Sequence, residues 1–355
     1  MKTAIVYDRV NKWGGAEHVL LSLHKIFPKA PLFTSVYDKK NAPWAKVFPE
    51  IKTSFLQKIP FAKSNHEFFA ILMPLAFESF DFSDFDLVIS VTSEAAKGIR
   101  IGPNTTHICY CLTPTRYLWS HYKEYFRGQS SKVLAKPFVE NLRRWDKKAA
   151  NRSDKIIAIS TEVKKRIKKY YGRESNIIFP PVNIKKPQVL RSKIQKAKYY
   201  LVVSRLVGYK KVDLVVETFN RLGHPLLIVG TGREEKKLKQ MAEKNIKFVG
   251  QVSEKKLSQY YCGAIALIMP QEEDFGIVAV EAQSYGVPVI AYKKGGAMDT
   301  VIDGKTGIFF DRQNISSLSL AITRFEKIKF VGDNLLKNAK RFSFQGFKKE
   351  LSRYI

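Results

Sequence analysis

The chain has 355 residues, of which 45% are hydrophobic and 26% charged. These values match soluble globular proteins and exclude a disordered chain, a collagen and a small disulfide scaffold. At about 150 residues per domain the length predicts two to three domains. The net charge of +29 is large, so its distribution matters. Residues 1–180 carry 30 basic and 16 acidic groups, and residues 181–355 carry 31 and 16, so neither half holds the excess. One stretch, 132–173, is denser, with 14 basic and 4 acidic residues. Lys outnumbers Arg 44 to 17. Arg is the usual residue for bidentate phosphate or base recognition, so the bias reads as solvated lysine-rich faces rather than a nucleic-acid interface. Attraction to an anionic membrane is the second reading of the same charge.

The pattern is short apolar β-rich runs alternating with amphipathic helical stretches. Thr3–Tyr7 is a strand, followed by a Gly-Gly turn and a helix from Glu17 to Ile26. Leu87–Val91, His107–Leu112 and Ile156–Ile159 are further strands, the last followed by a helix over Lys164–Tyr171. Such continuous apolar runs suit a parallel sheet buried on both faces. A break follows at Phe179-Pro180-Pro181-Val182-Asn183, and the polar, basic stretch Lys185–Lys198 reads as an interdomain linker. The alternation then restarts. Strands are expected at Tyr199–Val203, Pro225–Val229, Lys247–Val249, Ala264–Pro270 and Pro288–Tyr292. Helices are expected at Val212–Leu222, Glu234–Lys244, Leu257–Gly263 and Ile277–Tyr285. This predicts a βαβ domain over 1–180, a second over 181–335, and a C-terminal helix in 336–355 that packs back on the first domain.

Cys109, Cys111 and Cys262 form no zinc or redox pattern, which suits a reduced, cytoplasmic compartment. The first strand pattern begins at Thr3, leaving no room for a signal peptide. No apolar run approaches the ~18 residues of a membrane span. The longest, Phe68–Phe77, is interrupted by Pro74 and reads as core. With Trp44, Phe48 and Phe55 upstream, the same run would also serve as an apolar lip for a membrane surface. His18, His24, His66, His107, His121 and His224 have no metal-ligand spacing. Asp84-Phe85-Asp86 matches a D-x-D metal motif but precedes a strand, so strand-edge capping is expected and no metal.

The strongest chemical signal is Glu273-Asp274-Phe275-Gly276-Ile277-Val278-Ala279-Val280-Glu281, which follows a strand and opens a helix. The amides of Phe275, Gly276, Ile277 and Val278 are thereby placed at a helix N-terminus, where an anion is favoured. Gly276 lets backbone approach a ligand. Glu273 and Glu281 flank that turn as acceptors for hydroxyls. Arg205 and Lys210, in the strand-to-helix loop Ser204–Asp213, are suited to neutralise a diphosphate. Gly230-Thr231-Gly232 and Gly250-Gln251-Val252 put small residues and amides at two more strand ends. In the first half, Trp119, Tyr122 and Tyr125 either stack on a sugar or pack a helix.

In this order the pieces resemble glycosyltransferase family 4, retaining enzymes of the GT-B fold. The N-terminal half is similar too: Gly14-Gly15-Ala16-Glu17 after the first strand, Phe85–Ser90 ahead of Ala96-Lys97-Gly98, and Tyr110-Cys111-Leu112-Thr113-Pro114-Thr115-Arg116-Tyr117-Leu118-Trp119. The resemblance implies an α/β architecture, two Rossmann-like domains with parallel sheets facing across a cleft. It implies that Glu281 holds ribose hydroxyls, that Glu273 contacts the donor sugar, and that Arg205 and Lys210 clamp the diphosphate. Phe275, Gly276, Ile277, Val278, Gly230, Gly232 and Val252 would complete the donor site, Val252 beside the base. Gly14, Gly15, Thr113 and Arg116 would face the acceptor. The co-substrate would be a GDP- or UDP-linked sugar, with no metal or other cofactor. A hexose, mannose in the first instance, would pass to a glycan or polyprenyl-linked saccharide. Two positions depart from the family pattern. Leu112 stands where a His that touches the donor sugar is expected, and Ser204 where Gly is usual. The rival readings are a nucleotide-sugar epimerase of the same fold and a non-catalytic basic module binding lipid or nucleic acid.

Overall fold

The computed structural model describes residues 1–63, 69–122, 129–184 and 198–355, with 129–135 as backbone only. The chain divides into two compact units, Met1–Pro180 and Pro181–Tyr354. Residues 185–197 of the expected linker Lys185–Lys198, together with His66, Phe68 and Tyr125, lie outside the described residues.

The first unit is built on seven described strands: β1 (Thr3–Tyr7), β2 (Leu32–Thr34), β3 (Ile51–Thr53), β4 (Leu87–Thr92), β5 (Thr106–Cys111), β6 (Lys155–Ala158) and β7 (Asn176–Ile177). They lie in the order β3-β2-β1-β4-β5-β6-β7. Every neighbouring pair is parallel, with Ile5 opposite Ile89 and Ile108 opposite Lys155. All residues of β1 and β4 are buried, as a sheet covered on both faces requires. Helix α1 (Ala16–Ile26) buries Val19, Leu20 and Leu23 against this sheet. The apolar run after residue 68 divides. Met73, Ala76 and Phe77 of α2 (Met73–Glu78) join a core with Phe33, Phe82 and Phe85, while Ile71 and Leu75 stay exposed four residues apart. Asp86 caps as expected, its carboxylate accepting the Lys2 amide at 2.6 Å. Helix α3 (Gln129–Ala150) has no counterpart in the sequence reading, because Pro137 and a dense charge pattern break its periodicity. Helix α4 (Thr161–Tyr171) begins three residues before the expected Lys164, since the Ser160 hydroxyl accepts the Val163 amide and caps it.

The second unit has six described strands, β8 (Tyr199–Val203), β9 (Leu226–Val229), β10 (Ile246–Gly250), β11 (Ala264–Met269), β12 (Val289–Tyr292) and β13 (Gly307–Phe310). Their order is β10-β9-β8-β11-β12-β13, again all parallel. Helices α5 (Val212–Leu222), α6 (Glu235–Met241), α7 (Glu254–Cys262), α8 (Ile277–Ser284), α9 (Ala297–Thr300) and α10 (Ile315–Glu326) separate or follow them. Two apolar layers, one around Val215, Phe219 and Ile322, the other around Tyr261, Ala279 and Ala282, cover the sheet. Helix α6 stops before the expected Lys244. The Asn220 side chain donates to Met241 O at 2.7 Å and accepts the Glu243 amide at 3.1 Å, drawing the chain out of the helix. The single C-terminal helix expected in 336–355 is two helices, α11 (Gly332–Lys340) and α12 (Phe344–Tyr354). The break falls at Phe342, whose carbonyl accepts the Val182 amide at 2.8 Å, and Ser343 pairs with Val182 as a short parallel bridge. No helix among the described residues is long and apolar enough to cross a membrane.

Candidate functional site

In open parallel sheets a ligand sits beyond the carboxyl ends of the strands where strand order reverses. In the second unit that point lies between β8 and β11, and the loops leaving these strands carry Arg205, Lys210 and Glu273. Lys210 ends a short 3₁₀ turn, Gly208–Lys210, that bends it back. Its ammonium forms an ion pair with Glu273, both side chains largely buried. Glu273 also accepts from Gln271 Nε2 at 2.8 Å. The adjacent Lys211 has φ +53 and is exposed at the entry to α5, so Lys210, not Lys211, points into the site. Arg205 is exposed, its guanidinium over the Tyr209 ring and within 2.5 Å of the Tyr209 hydroxyl.

The carboxylate-bearing loop is held by contacts the sequence reading did not single out. Gly296 N donates to Glu273 O at 2.7 Å, and Gly295 pairs with Glu273 as a parallel bridge. A Cβ on Gly295 would lie 2.4 Å from Glu273 O, and one on Gly296 would lie 2.3 Å from the Phe275 Cα. The signal was the doublet Gly295-Gly296 shortly after a strand, with two lysines between. Phe275 contributes its backbone alone, since its ring is buried edge-on against Phe342 at 5.4 Å. Gly276 caps α8 at φ +83, a conformation that favours glycine. Ala279 is the residue whose amide first turns back to Gly276 O, so the amides of Ile277 and Val278 precede the helix ladder. Glu281, half-buried on α8, accepts the Tyr261 hydroxyl at 3.0 Å.

The glycines of the second turn serve backbone packing first. A Cβ on Gly230, which has φ +129, would lie 1.9 Å from Ser204 O, and one on Gly232 would lie 2.2 Å from Leu206 O. The Gly230 amide is not open to a ligand as expected, because Gly250 O takes it at 2.8 Å. The 230–232 turn therefore braces the loop that carries Arg205. Val252 is half-buried against the apolar layer that includes Tyr261.

The first unit reverses strand order between β1 and β4. Asp8 leaves β1 fully buried and accepts from the Thr92 hydroxyl and from the amides of Ser93, Ala95 and Ala96, all within 3.0 Å. Burial and the nearby Glu94 push its carboxyl above the ordinary range, against the pull of those amides. Arg9 pairs with Glu94, which also accepts the Tyr117 hydroxyl at 3.1 Å. Lys97 and Asp146, each 1% exposed, meet at 2.6 Å. Asp146 further accepts from Thr115, Trp119 and Tyr171 at 2.7–2.9 Å. None of Asp8, Arg9, Glu94 or Asp146 was read from the sequence as a site residue. Asp8 stands directly after the strand Thr3–Tyr7 and Glu94 two residues past the strand Leu87–Thr92, which was the available signal. Gly14 lies over the Glu17 carboxylate, 3.2 Å from where its Cβ would be, whereas a Cβ on Gly15 meets nothing within 4 Å. Glu17 accepts the Tyr7 hydroxyl at 3.1 Å, and burial raises its pKa. Thr113 is buried with a hydroxyl that finds no partner among the described residues, and Arg116 is half-buried three residues on. Trp119 packs rather than offering a face to a sugar: its ring stacks on Tyr170 at 5.1 Å, with the Arg143 guanidinium 5.5 Å away.

Comparison with known proteins extends the geometry. Residues 186–344 match the family model of glycosyl transferases group 1. An uncharacterized glycosyltransferase of Methanocaldococcus jannaschii is 28% identical over 208 residues, 56% of this chain and 58% of that protein, so the match spans little over half of the relative. An uncharacterized glycosyltransferase of Haemophilus influenzae is 26% identical over 320 residues, 85% of this chain and 83% of that one. The structure of Anabaena HepE in complex with UDP and glucose superimposes with a TM-score of 0.70 at 21% identity, covering 100% of this chain and 99% of that one. Residues 186–344 thus carry the match to glycosyl transferases group 1, in a chain with the two-unit GT-B fold of the glycosyltransferases.

Proposed function

We propose that this chain, a glycosyltransferase by family and fold, moves a hexose from a nucleoside diphosphate sugar to a glycan or lipid-linked saccharide with retention of configuration, as in family 4. The observation that carries the reading is the Lys210–Glu273 pair at the β8/β11 switch point, beside the glycine-capped N-terminus of α8. A diphosphate is the ligand that such a set would take. The helix amides and Arg205 would receive its oxygens, and Lys210 would turn from Glu273 toward the charge that grows as the nucleotide leaves. Glu273, relieved of the ammonium, would accept a hydroxyl of the sugar. Glu281 would hold the ribose. No protein nucleophile is needed if the leaving phosphate takes the acceptor proton on the same face.

The donor proposed first is GDP-mannose, on the Glu273-Asp274-Phe275-Gly276 loop. UDP-glucose is the competitor to test against it, because HepE is described in complex with UDP and glucose. The acceptor is assigned to the first unit, to Gly14, Gly15, Thr113 and Arg116. Exposed Ile71 and Leu75, with the basic excess of the chain, suit an acceptor held at an anionic membrane surface.

Thermal unfolding with GDP, UDP, ADP and dTDP tests the donor site. A nucleotide at ~100 times its Kd adds about 2.7 kcal/mol of stability. The expected result is a shift with one base only, lost in Glu281→Ala. No shift with any nucleotide would sink the proposal.

A further inference from the structure

Helices α7 and α8 are joined by an arrangement that the donor-site reading does not use. Tyr261, at the end of α7, is 2% exposed. Its ring stacks face to face on Tyr285, with centroids 5.3 Å apart and planes 14° apart. Tyr285 is itself tied to α7 through its hydroxyl, 2.7 Å from Ser258 Oγ. The Tyr261 ring is therefore held against a neighbour that is itself anchored to α7. Its hydroxyl donates to Glu281 Oε2 at 3.0 Å.

We infer that Tyr261 is a positioning residue for nucleotide recognition, whose hydroxyl fixes the Glu281 carboxylate in the orientation that receives the ribose diol. The inference rests on the reading of Glu281 as the ribose holder. The terminal torsion of a glutamate is broad, so an untethered carboxylate samples many orientations. Binding a vicinal diol requires one of them, and ordering a side chain on association weakens affinity. A buried phenol whose ring cannot turn removes that ordering from the binding step. Burial first, and the Glu281 charge second, keep the Tyr261 phenol protonated well above its usual pKa, so it remains a donor across the working range. Were Tyr261 only a core residue, the stack on Tyr285 would suffice and the hydroxyl would have no consequence for ligands.

The test compares affinities for GDP and 2′-deoxy-GDP, and for UDP and 2′-deoxy-UDP, by calorimetry on the full chain. Wild type is expected to prefer the ribonucleotide by tenfold or more. Tyr261→Phe keeps the stack and removes one hydroxyl. It is expected to hold its unfolding temperature, to reduce the ribo-to-deoxy preference about fivefold, and to raise KM for the donor with kcat nearly unchanged. Tyr285→Phe, which leaves the Tyr261 hydroxyl in place, should keep the wild-type preference. A wild-type preference retained in Tyr261→Phe overturns the inference and leaves Glu281 as the ribose holder. Absence of any preference in wild type overturns the reading of Glu281 itself, and the inference with it.

Discussion

The two switch points share a topology and differ in how their charges are matched. Between β1 and β4, Asp8, Arg9, Glu94, Lys97 and Asp146 are each matched by other protein groups, and Lys97 and Asp146 are 1% exposed. Between β8 and β11 the buried ion pair among the described residues is Lys210–Glu273, in a loop braced by glycines on neighbouring backbone. The first is a rigid platform whose charges are already answered from within. The second holds a cation that, on the proposed reading, would change partners when an anion arrives. Sheets of like topology thus carry differently matched charges, and substitution should separate them.

The largest effect is expected in the first unit. Lys97→Met leaves Asp146 buried without its cation, which costs about 3–5 kcal/mol. Lys210→Met should cost less, about 1–3 kcal/mol, because Glu273 keeps Gln271 and some solvent, yet abolish stabilisation by nucleotide. Chemical denaturation with and without GDP or UDP measures both; equal stability losses in the two variants would erase the distinction.

A second effect is confined to acid pH. His107, fully buried with Nε2 2.8 Å from Ser90 Oγ, has its pKa lowered by burial to about 4. The unfolded imidazole takes its proton near pH 6.5. Between these values the unfolded chain binds more protons, so stability is intact above about pH 6.5 and falls as the pH drops toward 4, by roughly 3 kcal/mol in all. The raised carboxyls of Asp8 and Glu17 act oppositely, since they favour the folded state as they protonate. Unfolding free energies of wild type and His107→Gln from pH 7 to pH 4 should converge on the acid side. Parallel curves would remove His107 from the account.

The smallest effect separates stability from acceptor use. Gly15→Ala meets nothing within 4 Å and should leave stability within about 0.5 kcal/mol, while lowering kcat/KM for the acceptor. Unchanged turnover would take Gly15 out of the acceptor site.

The parallel strands were legible because runs such as Leu87–Thr92, polar only at Ser90 and Thr92, and Ala264–Met269, apolar throughout, stand out from their surroundings. Strands of two or three residues, β2, β3 and β7, were not, because they are too short to show a period. Lys210 and Glu273 were legible as charges set in loops after strands, and Glu281 as a second carboxylate eight residues on. Their braces were not. Gly295-Gly296 lies some twenty residues from the loop it holds, and Tyr261 looks in sequence like any apolar-face aromatic. Asp146 escaped for a related reason: its four donors come from distant parts of the chain, Lys97, Thr115, Trp119 and Tyr171.

The packing of Gly295 and Gly296 against the 273–275 backbone carries a lesson for redesign. With carbonyl and Cα atoms in direct register against those two glycines, the segment from Gln271 to Gly276 has no slack for an added or deleted residue. Variation in sugar preference must then come from exchanging side chains at Gln271, Glu272 and Asp274 while loop length is preserved. A library built on those three positions samples what the scaffold tolerates, whereas one built on insertions would chiefly sample misfolding.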